Sequence, residues 1–528
     1  MQSLIIGSGP AAAGVVLRLS RESDQQITVL DLGGRIEPDR QEVVDRLASL
    51  SAAQWSSEDV EAISVQPVAK AAGELPRKQS YGSDYPFADH GQMQGISATA
   101  GHNDLVVSGA YGGFSNVWGA QVMPFTKSTF EGWPISFDEM VPHYGAVLRE
   151  IPFAAEEDDL AELFPLLAPA QPMPELAPRT LDVLRRYGRH RAALSAKGIV
   201  VGRARLAFAA RACVRCGLCM TGCPYSLIYS AAQTFDRLRA SGRIQYHSGL
   251  MTHRVGQDGQ RPWVTARDLT TGQDRTFGAD RLFVAAGAIG TTRVVLGSIE
   301  SPPPTIELGE SRQYMVPFVS TRPVQDPRTR GDFTLNQFNM LIDFGGRGLD
   351  TAHVHCYPYN PAFMLGLPAM LRQPAARHLT RALLGRITVG LGYLPSWASP
   401  HIQLTHERVL GAPLPYVRLD QATDERPPMY GKVLRKLLRA APKLDLWPVV
   451  TASTLSGAAK SYHFGGSFAH TDGAATARTT DRLGRLAAWD RVHLVDGAVF
   501  PSVPSTTFTL TVMANAHRIA SEAIGDIN

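Results

Sequence analysis

Leu4-Ile5-Ile6-Gly7-Ser8-Gly9-Pro10-Ala11-Ala12 is the stretch on which the reading of the fold turns. Three apolar residues make a short buried strand, which runs into a G-x-G-x-x-A turn and then a small-residue helix over 11–19. Ile27-Thr28-Val29-Leu30 reads as a second strand, ending at Asp31. Strand, glycine turn, helix, strand and acid in that order form the βαβ dinucleotide fingerprint. Each position has a physical task. Gly7 permits the tight turn, Gly9 lets the backbone approach a pyrophosphate, and Ala12 is small enough for helix and strand to pack closely. The helix N-terminus offers free N–H groups and the positive end of its dipole to phosphate. Asp31 lies about 20 residues past the glycines, where a carboxylate can accept hydrogen bonds from ribose hydroxyls. The fingerprint alone does not separate FAD from NAD.

Three further segments narrow the choice. Gly109-Ala110-Tyr111-Gly112-Gly113-Phe114-Ser115-Asn116-Val117-Trp118-Gly119 is a glycine-rich loop with an embedded Trp, followed by Gly132-Trp133-Pro134. Arg281-Leu282-Phe283-Val284 reads as a buried strand entering the turn Ala285-Ala286-Gly287. The C-terminal region holds Tyr462-His463-Phe464-Gly465-Gly466, then Val492-His493-Leu494-Val495-Asp496-Gly497, and a final helix from about Thr509. In this order the elements resemble the glucose–methanol–choline (GMC) family of FAD oxidoreductases, at both ends and in the middle of the chain. Residues 312–450 carry no such likeness. The resemblance implies an α/β protein with a Rossmann-type FAD-binding domain and an α+β substrate-binding cap built on an antiparallel sheet. Segments 1–135, 201–311 and 453–528 would form the FAD-binding part, 136–200 a cap or linker segment, and 312–452 the cap.

The family roles fall on particular residues. Gly7, Gly9, Ala12 and Asp31 would bind the ADP half of FAD. Gly112, Gly113, Ser115, Asn116 and Trp118 would line the pyrophosphate and the flavin ring. Asp496 would lie near the ribityl–phosphate portion, and the turn after Pro501, with Thr509, would approach the isoalloxazine. His463 matches the family's active-site histidine. Oxidising an alcohol on a flavin needs a hydride moved from carbon to N5 while a base takes the hydroxyl proton, and an imidazole near neutral pKa suits that task. The family's second catalytic residue, His or Asn, is replaced by Thr507. A Thr hydroxyl can donate a hydrogen bond but cannot act as the base. His470, Asn515 and His517 are the other nearby candidates.

Four of the five cysteines fall in Cys213-Val-Arg-Cys216-Gly-Leu-Cys219-Met-Thr-Gly-Cys223-Pro224. C-x2-C-x2-C-x3-C-P is the spacing of bacterial ferredoxins, and points to a [4Fe–4S] or [3Fe–4S] cluster. Cys356 could supply a spare ligand. Residues 219–229 also resemble the cysteine motif of GMC sugar dehydrogenases that carry such a cluster. A structural zinc site and metal-free thiols or disulfides stay open as rival readings. An iron–sulfur cluster near the flavin would pass its two electrons singly to an external acceptor, a small redox protein or a quinone-linked partner. That favours a dehydrogenase of a small-molecule alcohol, with a sugar or glycoside hydroxyl as substrate class. Two other classes compete: an oxygen-using alcohol or sterol oxidase with inert cysteines, and a flavin and iron–sulfur electron carrier without alcohol chemistry.

Composition sets the outer limits. At 528 residues the chain is too long for one ordinary domain. Hydrophobic residues at 44% and charged residues at 19% fit a globular enzyme and exclude a disordered chain. A net charge of +4, without a long basic run, gives no reason to expect nucleic acid. No apolar run reaches about 18 residues, so no transmembrane segment is expected. Met1-Gln2-Ser3 has no basic leader, so the expected location is cytoplasmic, with export alongside a signal-bearing partner left open. Within the cap, His353, His355 and Tyr357 share one face of an alternating strand. The expectation there is a solvated sheet face, with substrate contact as the alternative. The apolar residues 363–394 are expected to form core helices.

Overall fold

The computed structural model describes the chain apart from residues 65–74, 76, 89–104, 325–330, 346–347, 361–362, 364–368, 409, 423–427 and 526–528. The fold is mixed α/β. One five-stranded parallel sheet runs in the order Val492–Leu494, Arg281–Val284, Gln2–Ile6, Gln26–Leu30, Gln245–His247. Its central strand is covered on both faces, which is why Leu4-Ile5-Ile6 is an unbroken apolar run instead of an alternating one. From that strand the chain turns one way to Gln26–Leu30, while Arg281–Val284 lies on the other side. The turn Gly7–Gly9 therefore emerges at a topological switch point, where open parallel sheets form a ligand crevice.

The helix Pro10–Leu19 is buried along most of its length because Ala11, Ala12, Ala13 and Gly14 let neighbours come close. The closest is the terminal helix Thr509–Gly525: a Cβ on Gly14 would overlap the Met513 carbonyl and press on Ala516. The helix Phe137–Glu150, from the segment expected as cap or linker, packs on that same terminal helix. There Tyr144 and Thr511 hydroxyls lie 2.9 Å apart.

A seven-stranded antiparallel sheet holds most of its strands in the segment expected as the cap, with Ile199–Arg203 joining from outside 312–452. Its main path is Trp447–Pro448, Gln313–Val319, Ile387–Tyr393, Thr351–Tyr357, Phe338–Asp343, Ile199–Arg203. One face carries Ala352, Val354 and Cys356, packed in a core with Val183 and Tyr187 of helix Pro178–Ser195 and with Val433 and Leu437 of helix Pro428–Leu444. The other face carries Thr351, His353, His355 and Tyr357, and it is not solvated. His353 is 0% exposed and His355 5%. Alternation identifies the apolar face of a strand correctly, but it cannot tell water from another part of the same protein as the cover of the polar face. Here that cover is the 505–508 turn: Thr351 and Ser505 hydroxyls lie 3.0 Å apart, and His353 Nδ1 is 3.2 Å from Thr506 Oγ1.

A third sheet, Tyr416–Ala422, Ile402–Glu407, Thr305–Glu310, Phe464–Gly465, sets the residue after His463 beside Glu310. The core helices expected over 363–394 are not found as such. Residues 364–368 lie outside the described residues, and Met370 and Leu379 are exposed. Among the described residues no helix is long and apolar enough to cross a membrane. Replacing Gly14→Ala should force the first and terminal helices apart. Urea unfolding is expected to show a loss of about 1–3 kcal/mol, the usual penalty for overpacking a close contact.

Candidate active site

Around the glycine turn, the expected cofactor residues converge. Gly7 has φ +97°, and a side chain there would strike the Ala285 carbonyl. Gly9 is the N-cap of helix Pro10–Leu19 and provides no side-chain cap, so the first N–H groups of the helix are left for another acceptor. A Cβ built on Gly9 meets nothing within 4 Å, in contrast to its neighbours. The glycine loop closes over it: a Cβ on Gly113 would lie 3.2 Å from Gly9 Cα, and Gly112 has φ +89°.

Ser8 ties the three pieces together. Its hydroxyl donates to Asp31 Oδ2 and accepts from the Gly112 N–H at 3.0 Å, while Tyr246 OH donates to the same Asp31 oxygen at 2.7 Å. Burial pushes the Asp31 carboxyl up to about 6, against the lowering effect of those hydrogen bonds. Open space at Gly9, uncapped N–H groups and a buried acid at the strand end are the donor and acceptor set that the ADP half of FAD requires, and in that respect the residues fit the group.

Other expected contacts are engaged by the protein itself. Ser115 Oγ donates to Gly112 O and accepts from Ala231 N. Asn116 Nδ2 donates to the carbonyls of Tyr111 and Gly113. Trp118 Nε1 donates to Tyr229 O at 2.7 Å. These side chains shape the glycine loop, and their polar groups face inward to it. Asp496 likewise accepts from Thr291 Oγ1 and from Ala498 N at 2.9 Å, pinning the turn of 287–291 to that of 496–498. Its carboxyl is also pushed up to about 6 by burial. Thr509 is the half-buried first residue of the terminal helix.

His463 sits where the cap sheet meets the 505–508 turn. Its ring stacks with Tyr393 of the cap at 4.6 Å and 18°, and with Phe508 at 5.5 Å and 13°. Nδ1 is buried and, among the described residues, has no hydrogen-bond partner. Burial lowers the imidazole to about 4, so the ring is neutral at pH 7. Its backbone is held on both sides: His463 N donates to Ser461 Oγ at 3.1 Å, and its carbonyl accepts from Ser311 N at 3.0 Å. Glu310, which sequence reasoning missed, anchors the approach by accepting from Ala459 N and Ser461 N. A lone buried acid in an unfamiliar region carries no pattern that could have marked it.

Thr507 is not available to a substrate. Its hydroxyl accepts from Met123 N at 3.0 Å and is 3.4 Å from Met123 O, stitching two segments together. The remaining candidates are occupied as well. His470 Nδ1 lies 2.6 Å from Asp481 O and its Nε2 3.3 Å from Asn515, whose Oδ1 accepts from Arg518. His517 pairs with His143, 2.9 Å between Nδ1 atoms.

Among the described residues the cysteine run does not form the ligand group that its spacing leads one to expect. All five cysteines are free thiols, which removes the disulfide reading. Among the described residues no group of three or more His, Cys, Asp or Glu could hold a metal ion, so the arrangement fits neither a cluster nor zinc. Cys219 Sγ accepts from Thr334 N at 3.2 Å and Cys213 Sγ from Arg215 N at 3.4 Å. Burial, with lesser repulsion from neighbouring thiols, pushes Cys213 up to about 11 and Cys223 up to about 12. Cys356 is buried in the cap core and cannot be a spare ligand.

The contrast between two glycines is testable. Gly9→Ala has an ordinary backbone angle, φ −72°, and free space, so unfolding by urea should be unchanged. The added methyl stands where a pyrophosphate would pass. Bound FAD, read from the flavin absorbance per chain, is expected to fall at least about tenfold.

No known protein-family pattern matches the chain, and no curated protein matches its sequence. Solved structures do match its shape. One is pyridoxine 4-oxidase from Mesorbium loti, aligned over 99% of this chain and 98% of that one, with a TM-score of 0.57 and 13% sequence identity. A likeness at that identity is one of fold, and it extends over the whole chain.

Proposed function

We propose that this chain is an FAD-dependent oxidoreductase that converts a primary or secondary alcohol to a carbonyl, with His463 as the base. The observation that carries the reading is His463 itself. It is a neutral imidazole with an unpartnered buried nitrogen, held in a stack of aromatic rings at the junction between the cap and the segments that build the glycine cradle. The GMC resemblance puts the family's base at this residue, and the fold likeness to an enzyme named for pyridoxine oxidation agrees with alcohol chemistry.

FAD, when bound, supplies the acceptor for the hydride of the alcohol carbon. The chain's own residues do the rest. A neutral imidazole can take the hydroxyl proton, and removing it from a buried site needs no prior deprotonation of the base at pH 7. Tyr393 and Phe508 restrict the ring's rotation, and Ser461 and Ser311 hold its backbone, so the nitrogen's aim is set before substrate arrives. Aromatic packing around it keeps water from competing for the proton.

His463→Asn should retain bound FAD and lower the rate of alcohol-dependent flavin reduction about 10²- to 10⁴-fold in anaerobic stopped flow. Full reduction in that variant would sink the assignment. In the unaltered protein, protonation of the base should slow the reaction only as pH falls through about 4, because the neutral form prevails above that value.

A second reading, an iron–sulfur exit to an external acceptor, has the C-x2-C-x2-C-x3-C spacing in its favour and the thiol arrangement against it. Iron and acid-labile sulfide analysis of anaerobically purified protein decides the matter, together with oxygen uptake against dye reduction. The geometry leads us to expect no stoichiometric iron. Three or four irons per chain with matching sulfide would restore the dehydrogenase reading, and with it a sugar or glycoside substrate.

A further inference from the structure

The antiparallel sheet carries an unassigned polar group that shares a tyrosine neighbour with the proposed base. His355 lies on strand Thr351–Tyr357, on the face turned away from the cap core. It is 5% exposed, and its Nε2 is buried without a hydrogen-bond partner among the described residues. A buried nitrogen left unpaired in the folded protein is costly, and a ligand atom that arrives later would complement it. The ring's surroundings point the same way. Tyr393 is the shared neighbour: its ring is 5.4 Å from His355 and 4.6 Å from His463.

His353 meets His355 edge-on at 4.7 Å and 89°. That ring is itself fixed by Thr506 at Nδ1 and by stacking with Phe164 at 13°. His355 is thus held from behind by a tethered imidazole and from the side by the tyrosine that stacks with the base.

We propose that His355 is a second catalytic residue, whose Nε2–H donates a hydrogen bond to the hydroxyl oxygen of the alcohol while His463 takes its proton. The inference rests on the alcohol-oxidising reading above and deepens it. It fills the role that Thr507 would have had, which Met123 denies to that side chain. The atoms balance simply: the O–H proton passes to His463, the carbon's hydride passes to oxidised FAD, and the C–O single bond becomes a double bond. His355 breaks no bond. Burial keeps its ring neutral, as it does for His353, so the wall carries no charge, and the proposed role requires the tautomer with its proton on Nε2. An uncharged wall of imidazoles and a tyrosine suits a neutral alcohol in preference to an anionic one such as a sugar phosphate.

The test uses the FAD-loaded full chain, with His355→Phe (same breadth, no nitrogen) and His355→Gln (an amide donor retained). Two readouts apply: anaerobic flavin reduction by a panel of pyridoxine, D-glucose and benzyl alcohol, and the shift of the flavin absorption on titration with trifluoroethanol, an alcohol that resists oxidation. Flavin content per chain serves as the control for folding. His355→Phe should weaken trifluoroethanol binding and lower flavin reduction by the active alcohol roughly 10- to 100-fold, with His355→Gln recovering part of both. An alcohol that reduces the flavin equally well in unaltered protein and in His355→Phe overturns this inference and leaves the alcohol-oxidising reading standing. Should no alcohol of the panel reduce the flavin of unaltered protein and trifluoroethanol leave its spectrum unmoved, both fall together. If His355→Phe loses its FAD, His355→Leu, smaller and equally without a donor, takes its place, and unaltered rates and binding there overturn the proposal.

Discussion

The polar face of the cap sheet, pressed against the 505–508 turn, is the constraint on which the site depends. Hydroxyl and imidazole contacts between Thr351 and Ser505, and between His353 and Thr506, join the cap to the segment that leads into the terminal helix. Polar groups at such a junction must find partners or remain costly. Most do find them, in Met123 with Thr507 and in the amide pair of Gln121 with Asn339. Others stay unpaired among the described residues, His353 Nε2 and Asn336 Oδ1 among them, and two such nitrogens, on His355 and His463, flank Tyr393.

The βαβ unit and its glycine turn were legible in the sequence because their determinants are local. The turn at Gly7, the small residues of helix Pro10–Leu19 and the acid at Asp31 sit within one βαβ unit, where period and spacing translate directly into geometry. His463 was legible only through the company it keeps in the C-terminal segment. Three things were not. The cover of the His353–His355 face comes from residues about 150 positions away, and alternation along one strand contains no information about it. The partners of Ser115, Asn116 and Thr507 are backbone atoms, which have no residue type to recognise. The cysteine spacing describes a ligand set, yet backbone turns at Arg215, Gly217 and Gly222 decide where each thiol goes.

Burial also sets the electrical character of the molecule's interior. Asp31 and Asp496 are raised, His353, His355, His463 and His470 are lowered, and each shift moves its group toward neutrality. The exterior behaves differently. Arg46 with Asp59 and Arg267 with Asp274 are exposed pairs that reinforce each other's charge, as surface ion pairs do, with little effect on stability.

The strand order of the parallel sheet has a consequence for how the chain is made. Gln2–Ile6 and Gln26–Leu30 leave the ribosome first, but their outer neighbours come from 281–284 and 245–247, and the strand 492–494 completes the sheet beyond 281–284. For about half of translation two apolar strands therefore have open outer edges, and the first helix waits for a partner from residues 509–525. Such non-local pairing folds slowly and exposes sticky edges meanwhile. The late arrival of those partners leaves strand edges open to intermolecular pairing while the chain is being made.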